Sequence, residues 1–437
     1  MIYRYFKSIN IFLIKLSIIL IPLGIYKDVD YFVANQYLWV KLFAVFFLFF
    51  YLLKSINKAE ISWKKHSLNL PIFLFFIICS LSLILSKIFF VSLKDYLIFF
   101  SYLILFFTII NSIDTEKDFF SIINFFLCVS TIVALYVILH FYGIITYLKE
   151  FGPTVSPIGQ KNWTSNYLAL FFFITFFLFI TQEKRKFLFK YFLILIIFYI
   201  ALMICRSRGI WISMILTSVI MVFLIYHFKL YYMIKKKKKW IYLMLTFFII
   251  ITVIYSTDNP INRSAISVTD RAISTFDPED KSINSRFLMW RSTLDMIKDS
   301  PITGMGIGTF KKYYLNYQAK KINKYPELIK YWVYAGKAHN DYLQMGAELG
   351  LVGLAIFFYM LFKLYYLFFS FLSREKNENT KLIGFGLMIG ISCFLIDCLF
   401  TFPLFVPALG SSFFMTLGLT VLFLNRFNLP FYRKKIL

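Results

Sequence analysis

Long apolar blocks recur along the whole chain, and they restrict its fold more than any other feature. They lie at approximately 9–26, 36–53, 70–86, 95–111, 119–142, 165–181, 187–205, 210–228, 240–256, 350–372, 382–402 and 405–424. Each is close to the ~20 residues that a helix needs to cross the hydrocarbon core of a bilayer. Only 16% of the side chains are charged, which excludes a soluble enzyme, a disordered chain and a nucleic-acid-binding domain. The sequence therefore predicts an all-α polytopic membrane protein with about 12 transmembrane helices.

The distribution of basic residues predicts the orientation of these helices. The chain has 47 Lys and Arg against 22 Asp and Glu. If the N-terminus is inside, the inner segments hold most of the basic clusters, which are 4–7, 54–65, 184–190, 235–239, 374–376 and 426–435. Because Lys and Arg collect on the cytoplasmic side, both termini are predicted to be cytoplasmic. The lysine run 235–239 is then an inner anchor near anionic lipid headgroups rather than a nucleic-acid site.

One connection is far longer than the others and divides the chain into three parts. Residues 1–255 are predicted to hold transmembrane helices 1–9, and 256–338 form a large outer loop. Residues 339–437 hold helices 10–12 and a cytoplasmic tail. A loop of this length is usually functional, so we expect the chemistry where the loop meets the bundle.

The outer loop has its own helical pattern. Ser285 is the expected N-cap of a helix whose apolar residues are spaced by three and four, and Pro301 is expected to end it. Glycines at 304, 306 and 308 allow tight backbone turns. A second helix, interfacial in character, is predicted over 310–322.

Arginines stand at two outer positions where an anion could be bound. Arg206 and Arg208 lie in a short outer turn, against the bias that places basic residues inside. Arginine donates two parallel hydrogen bonds to a phosphate, although snorkelling to lipid phosphates is the alternative. On the loop helix, Arg291 has Asp295 four residues ahead as an ion-pair partner. Arg286 has no such acid, which leaves it either solvated or available to an external anion.

The return from the loop into the bundle carries a third group of polar residues. His339 is expected at the membrane edge, where a neutral imidazole could accept a proton. A structural role for this histidine is equally compatible with the sequence. Gln344 and Glu348 are four residues apart and share a helix face, and Asp341 is the expected cap of that helix.

Other acidic residues and the cysteines give weaker signals. Asp28 and Asp30 resemble the acidic pair that some lipid-sugar-dependent transferases use for a divalent metal. The favoured interpretation is that they are ordinary polar residues of a solvent-exposed loop. Asp397 lies inside an apolar block, and an intramembrane acid is a functional candidate, which we expect to pair with an outer arginine. The five cysteines and four histidines show no metal-ligand spacing, so neither a metal nor a cofactor is predicted.

Three motifs in order, with the long outer loop among them, together resemble the O-antigen ligase and polymerase superfamily. The resemblance covers the bundle and especially residues 200–355. Its motifs are Ser207-Arg208-Gly209, then Arg286-x-x-x-Trp290 running into Pro301 and Gly304-x-Gly306-x-Gly308, then His339-Asn340-x-Tyr342-Leu343-Gln344-x-x-x-Glu348-x-Gly350-x-x-Gly353.

The resemblance implies a C-type glycosyltransferase in the bacterial inner membrane, with its active site facing the periplasm. Family members transfer a glycan from undecaprenyl pyrophosphate to an acceptor hydroxyl such as that of lipid A-core, without a metal. Displacement at the anomeric carbon by that hydroxyl would invert its configuration. Residue by residue, Arg208 and Arg286 would bind the pyrophosphate and His339 would assist the acceptor or substrate. The positions expected to contact substrate are Arg206, Trp290, Arg291, Asn340, Tyr342, Gln344 and Glu348.

Two alternatives remain open from the sequence. An O-antigen polymerase would use the same donor with a second lipid-linked oligosaccharide as acceptor. A polysaccharide flippase or other transporter would concentrate ionisable and helix-breaking residues at mid-membrane. Here those residues concentrate at one outer loop and one outer turn, which favours a transferase.

Overall fold

The computed structural model of the protein describes residues 2–25, 32–263, 267–426, 428–429 and 431–435. This described part consists of α-helices, a few short 3₁₀ segments and one pair of short strands, β1 Glu60–Lys64 and β2 Phe431–Lys435. The α-helices are α1 Ile2–Leu23, α2 Val33–Lys58, α3 Asn69–Leu85, α4 Phe89–Ser112, α5 Glu116–Phe141, α6 Lys161–Thr181, α7 Arg185–Cys205, α8 Arg208–His227, α9 Tyr231–Lys236, α10 Lys238–Ser256, α11 Val268–Ile273, α12 Lys281–Asp299, α13 Phe310–Lys324, α14 Asp341–Arg374, α15 Glu378–Asp397 and α16 Pro407–Leu424.

The helices confirm an all-α polytopic membrane protein. In the described residues, 11 helices are long and apolar enough to cross a bilayer, and α3 is a shorter apolar helix of 17 residues. Each predicted apolar block falls on one of these helices, with ends that differ by five residues or fewer, except that α1, α4 and α14 begin six to nine residues earlier than predicted. The number of helices that span the membrane stays a prediction, since length and composition alone define them here.

Helices α6 and α16 form the centre of the bundle. In the most apolar stretch of each helix, 100% of the residues of α16 and 94% of those of α6 are buried, whereas only 17% of those of α10 are. Helix α6 packs against α7 and α15. A Cβ at Gly390 of α15 would lie 2.6 Å from the Leu170 carbonyl oxygen of α6, so the close approach of these two helices requires glycine there.

The two strands join distant parts of the chain at one end of the bundle. Strand β1 pairs antiparallel with β2, so that Ser62 is opposite Arg433. Nearby, Lys64 forms an ion pair of 2.9 Å with Asp114, which follows α4. The charge pattern predicts that this end is cytoplasmic. The segment between α10 and α14 starts and finishes at the opposite end of the bundle.

The helices of the 257–340 segment differ from the predicted ones mainly in where α12 begins. Ser285 is not its cap: the helix starts at Lys281, and the Asp280 carboxylate accepts a hydrogen bond of 2.9 Å from the Ile283 amide. An Asp at this position satisfies an otherwise unpaired amide of the first turn, so the helix begins earlier than the apolar spacing indicated. Helix α12 ends just before Pro301, and α13 covers the predicted second helix.

A break at Gly350 separates the first turns of α14 from its membrane-crossing part. Gly350 has φ +71° and ψ 178°, outside the helical region. A Cβ at this position would lie 2.0 Å from the Ile302 carbonyl oxygen, so only glycine fits. The Leu351 amide, freed by the break, donates a hydrogen bond of 2.7 Å to the Pro301 carbonyl. The loop after α12 is thereby fixed against α14.

Candidate functional site

A cavity of about 720 Å³ lies where the ends of α6 and α8 meet α11, α12 and the segment 332–339. Arg208, Arg286 and His339, which come from three separate sequence motifs, all line it. Arg208 begins α8, Arg286 lies in the second turn of α12, and His339 precedes α14. The structure therefore brings the three predicted catalytic residues to one site.

Three further cations line the cavity and were missed from the sequence. They are Lys161 at the start of α6, Arg271 on α11 and Lys281 at the start of α12. Lys161 carried a usable signal, because it follows a connection that is predicted to be outer, like the α7–α8 turn with its arginines. Arg271 carried none, since the long loop has many basic residues. The other lining residues are Asn162, Ser207, Gly209, Ser282, Ser285, Met289, Trp332, Val333, Tyr334 and Thr401.

Arg208 is held in place by a bidentate ion pair with Asp280. Its Nη1 and Nη2 atoms donate to the Asp280 carboxylate at 2.8 and 3.1 Å, and Nη1 also donates to the Ser274 carbonyl at 2.9 Å. The guanidinium keeps the pKa of Asp280 below its usual range. Nε–H and one Nη2–H lie on the remaining edge of the guanidinium and have no partner among the described residues. That edge can donate two hydrogen bonds to one phosphate group.

Arg286 is also anchored through only part of its guanidinium. Its Nη1 donates to the Phe400 carbonyl at 3.0 Å, which joins α12 to the connection between α15 and α16. Burial lowers the pKa of Arg286, and the Arg208 and Arg271 charges act in the same direction while Asp397 opposes them. An arginine stays protonated under such shifts. The side chain therefore presents a half-buried, fixed positive charge to the cavity.

His339 adopts a strained backbone conformation beside these arginines. Its φ is +51°, in the left-handed region that non-glycine residues rarely occupy. Its ring contacts Phe402 edge to face, with centroids 4.7 Å apart. Burial and the positive charge of Arg286 lower the pKa of His339 to about 3. The imidazole is therefore neutral at physiological pH, and in this environment it is a weak base unless a nearby anion raises its pKa.

The backbone around His339 is fixed by residues that were expected to touch substrate. Trp290 donates from Nε1 to the Ala338 carbonyl at 3.1 Å, and the Ala338 amide donates to Gln344 Oε1 at 2.9 Å. Asn340 caps α14 by accepting a hydrogen bond of 3.0 Å from the Leu343 amide. These contacts explain how the strained conformation of His339 is maintained.

The expected cap, Asp341, has a different role. It is the first residue of α14, and its carboxylate accepts a hydrogen bond of 3.0 Å from the Leu404 amide. Its own amide donates to the Cys398 carbonyl at 2.8 Å. The prediction that Asp341 caps the helix is wrong, because the preceding residue, Asn340, reaches the free amide of the first turn.

Glu348 and Tyr342 have their polar atoms bound within the protein. The buried Glu348 carboxylate accepts hydrogen bonds from the Gly308 amide at 2.8 Å, the Phe310 amide at 3.2 Å and Gln344 Nε2 at 3.1 Å. The Tyr342 hydroxyl donates to a backbone carbonyl of α15 at 2.7 Å. Neither residue lines the cavity. Glu348 instead fixes the glycine-rich turn and the start of α13.

Arg206 and Arg291 also lie outside the residues that line the cavity. Arg206 is buried, and its Nη2 donates to Asn262 Oδ1 at 2.6 Å. Arg291 is exposed on α12. The expected pair between Arg291 and Asp295 is not found among the described residues. Asp295 is instead 2.5 Å from Lys321 Nζ, because α13 packs beside α12 and brings a lysine within reach.

The acids weighed as functional candidates give two different outcomes. Asp397 has no arginine partner among the described residues, so the expected pairing is wrong. It accepts hydrogen bonds from Asn166 at 2.9 Å, Ser213 at 3.3 Å and Thr401 at 2.6 Å, since α6 and α8 pack around it. Asp28 and Asp30 lie outside the described residues.

The described part of the chain contains no cluster of three or more His, Cys, Asp or Glu that could hold a metal ion. The cavity instead presents fixed cations beside a neutral imidazole. Such a surface can bind a diphosphate and stabilise negative charge that develops on it. It can also place a proton acceptor next to that anion.

Comparison with known proteins agrees with this chemistry. Residues 192–358 match the family model described as O-antigen ligase. The match includes every residue of the three motifs up to Gly353, and it confirms the resemblance to the O-antigen ligase and polymerase superfamily over this segment. In general terms it supports an O-antigen ligase- or polymerase-like function, with lipid-linked glycans as substrates, for a multi-pass membrane protein. No curated protein matches the chain.

Proposed function

We propose that this protein is an O-antigen ligase-like glycosyltransferase. It transfers a polysaccharide from undecaprenyl pyrophosphate to a sugar hydroxyl of lipid A-core. The observation that carries the proposal is the meeting of Arg208, Arg286 and His339 in one cavity. Two of these residues offer fixed charges for a diphosphate and the third offers a proton acceptor, which are the two functions that this reaction needs.

The reaction is a displacement at the anomeric carbon of the donor sugar. The acceptor oxygen forms the new bond, and the bond between the anomeric carbon and the phosphate oxygen breaks with its electron pair going to the diphosphate. The acceptor proton passes to His339. Arg208 and Arg286 stabilise the departing diphosphate as a metal ion would, so the reaction is metal-independent. Because it is a single displacement, it inverts the anomeric configuration.

The low pKa of His339 fits this order of events. Without substrate, Arg286 helps to keep the imidazole neutral. A diphosphate bound to Arg286 offsets that positive charge and raises the pKa of His339, because a nearby anion favours the protonated imidazole. Donor binding thus makes His339 a stronger base when the acceptor arrives.

The proposed site faces the periplasm of a bacterial inner membrane. The elements that line the cavity belong to the connections that the Lys and Arg asymmetry assigns to the outer side. A donor flipped across the inner membrane would present its diphosphate at that depth. The site lies at helix ends rather than at mid-membrane, which disfavours a flippase or transporter.

Topology is tested by cysteine labelling in spheroplasts, in a background where the exposed Cys128 is replaced by serine. Cysteines at Ser282 and Lys320 should react with a membrane-impermeant maleimide, and cysteines at Lys237 and Asn377 should stay protected. The reverse pattern would place the cavity in the cytoplasm and contradict the proposal.

The transferase activity is tested with variants that change the geometry of the cations. Arg208→Lys and Arg286→Lys keep the charge but lose the planar fork. Loss of one donor to a developing anion costs ~2.7–4 kcal/mol, so transfer should fall roughly a hundred- to a thousandfold. His339→Ala should lower turnover roughly 10²–10⁴-fold while donor binding is kept. The matched control is Lys298→Gln, an exposed cation of α12 outside the cavity.

The assay follows transfer from a lipid-linked donor in membranes, with expression and donor binding measured for each variant. Parallel reactions offer lipid A-core and a second lipid-linked oligosaccharide as acceptors. Use of lipid A-core supports the ligase, and use of only the oligosaccharide would make the protein a polymerase. Full activity in His339→Ala, or no loss in both arginine variants, would overturn the assignment of these residues.

A further inference from the structure

The cavity carries more positive charge than the two arginines of the proposed mechanism. Lys161, Arg208, Arg271, Lys281 and Arg286 line it, and its described lining contains no carboxylate. Arg208 is paired with Asp280. Among the described residues, no ion pair is found for the other four. Like charges gathered in one partly buried site repel each other, so the site is suited to a ligand with several negative charges.

Arg271 and Lys161 are placed differently from Lys281. Lys281 is exposed, so solvent screens its charge, whereas Arg271 and Lys161 are half-buried. The Arg271 Nε is buried and has no hydrogen-bond partner in the described structure. Burial and the nearby Arg208 charge lower the pKa of Arg271, while Asp280 opposes them. The unpaired, buried Nε–H of Arg271 can donate a hydrogen bond to an anion in the cavity.

The proposed reaction changes the charge on the diphosphate. In the donor, the diphosphate is esterified at both ends and carries two negative charges. When the bond to the sugar breaks, the bridging electron pair stays on the diphosphate, which then carries a third negative charge. Groups that meet this added charge stabilise the transition state and the product more than the donor.

We propose that Arg271 and Lys161 bind the leaving diphosphate and take up the negative charge that develops on it during transfer. This inference rests on the proposed function and assigns two further residues to the same site. Arg208 and Arg286 then contact the diphosphate both in the bound donor and as it departs, while Arg271 and Lys161 act mainly as the bond breaks. The pair comes from α11 and α6, outside the motifs that point to the site.

The kinetic consequence is a selective loss of turnover. Arg271→Gln and Lys161→Gln should lower kcat by roughly tenfold to a hundredfold. This is less than the ~10²–10³-fold loss on removing a fully enclosed hydrogen-bond donor, because both side chains are partly exposed. The KM for the lipid-linked donor should change by about twofold or less, because these two cations interact with a negative charge that develops only in the transition state. Arg271→Lys and Lys161→Arg should recover most of the kcat, because charge rather than fork geometry is required.

Binding of two probes to purified protein tests the same idea without turnover. Farnesyl diphosphate carries the charge of the product, and farnesyl diphosphate esterified to N-acetylglucosamine carries the charge of the donor. Arg271→Gln and Lys161→Gln should weaken binding of farnesyl diphosphate at least tenfold and binding of the sugar ester about twofold. Lys298→Gln is the control and should bind both probes like the wild type.

The outcomes separate this inference from the proposed function. Equal weakening for both probes would show simple donor binding and overturn the inference, as would unchanged binding of farnesyl diphosphate. In either case the proposed function stands if the wild-type protein binds the probes and Arg208→Lys does not. If the wild-type protein binds neither probe, the proposed function fails, and the inference fails with it. Recovery by Arg271→Lys excludes misfolding as the cause of a loss.

Discussion

Replacing Glu348 by alanine would remove the acceptor that holds the glycine-rich turn in place. Glu348 is 1% exposed, and its carboxylate accepts hydrogen bonds from the Gly308 and Phe310 amides. The alanine side chain offers no acceptor, so the buried Phe310 amide and the part-buried Gly308 amide would both lose their partner. A buried donor without a partner costs about 1–3 kcal/mol, so the two together predict a local destabilisation of about 2–6 kcal/mol.

Hydrogen exchange measures this destabilisation directly. One factor of ten in exchange rate corresponds to ~1.4 kcal/mol, so amide exchange over 304–310 should accelerate by roughly thirtyfold to more than a thousandfold. Glu348→Gln keeps one acceptor oxygen and should lose about half as much protection. Glu327→Ala, at an exposed acid of the same outer segment, is the control and should exchange like the wild type.

Activity and exchange together decide what Glu348 does. If Glu348 positions the turn, transfer should fall in proportion to the loss of protection, and the glutamine variant should be intermediate in both. Wild-type exchange in Glu348→Ala, combined with lost transfer, would refute this reasoning. It would indicate that the carboxylate contacts substrate, as the family resemblance implies.

Three further predictions concern the base, its support and metal use. The acid limb of the pH profile of kcat should lie at higher pH than that of kcat/KM for the donor. The reason is that bound diphosphate offsets the Arg286 charge and raises the pKa of His339 from about 3. Acid limbs at the same pH would contradict this. Trp290→Phe removes one hydrogen bond worth about 0.5–1.5 kcal/mol, so turnover should fall about two- to tenfold with donor affinity unchanged. Activity should survive a strong chelator, and Asp28→Asn combined with Asp30→Asn should stay within a few-fold of wild type; loss restored by magnesium would show a metal-dependent mechanism.

Hydrogen-bonding roles were predicted less well than positions in the chain. The start of α12 and the cap of α14 were each assigned to the wrong polar residue, Ser285 instead of Asp280 and Asp341 instead of Asn340. Neighbouring polar residues are equivalent candidates in a sequence. Which one caps depends on backbone angles that the packing of the segment fixes.

The sequence by itself determined the class of the fold and the positions of three motifs that contain Arg208, Arg286 and His339. Apolar blocks of membrane-spanning length need no tertiary information, because each block satisfies its own backbone hydrogen bonds as a helix. Only the tertiary structure placed Lys161 and Arg271 beside those motifs. It also decided that Arg208 pairs with a residue 72 positions away and that Arg286 donates to a carbonyl 114 positions away. Local periodicity indicates which face of a helix is buried, whereas contacts between distant helices depend on how the whole bundle packs.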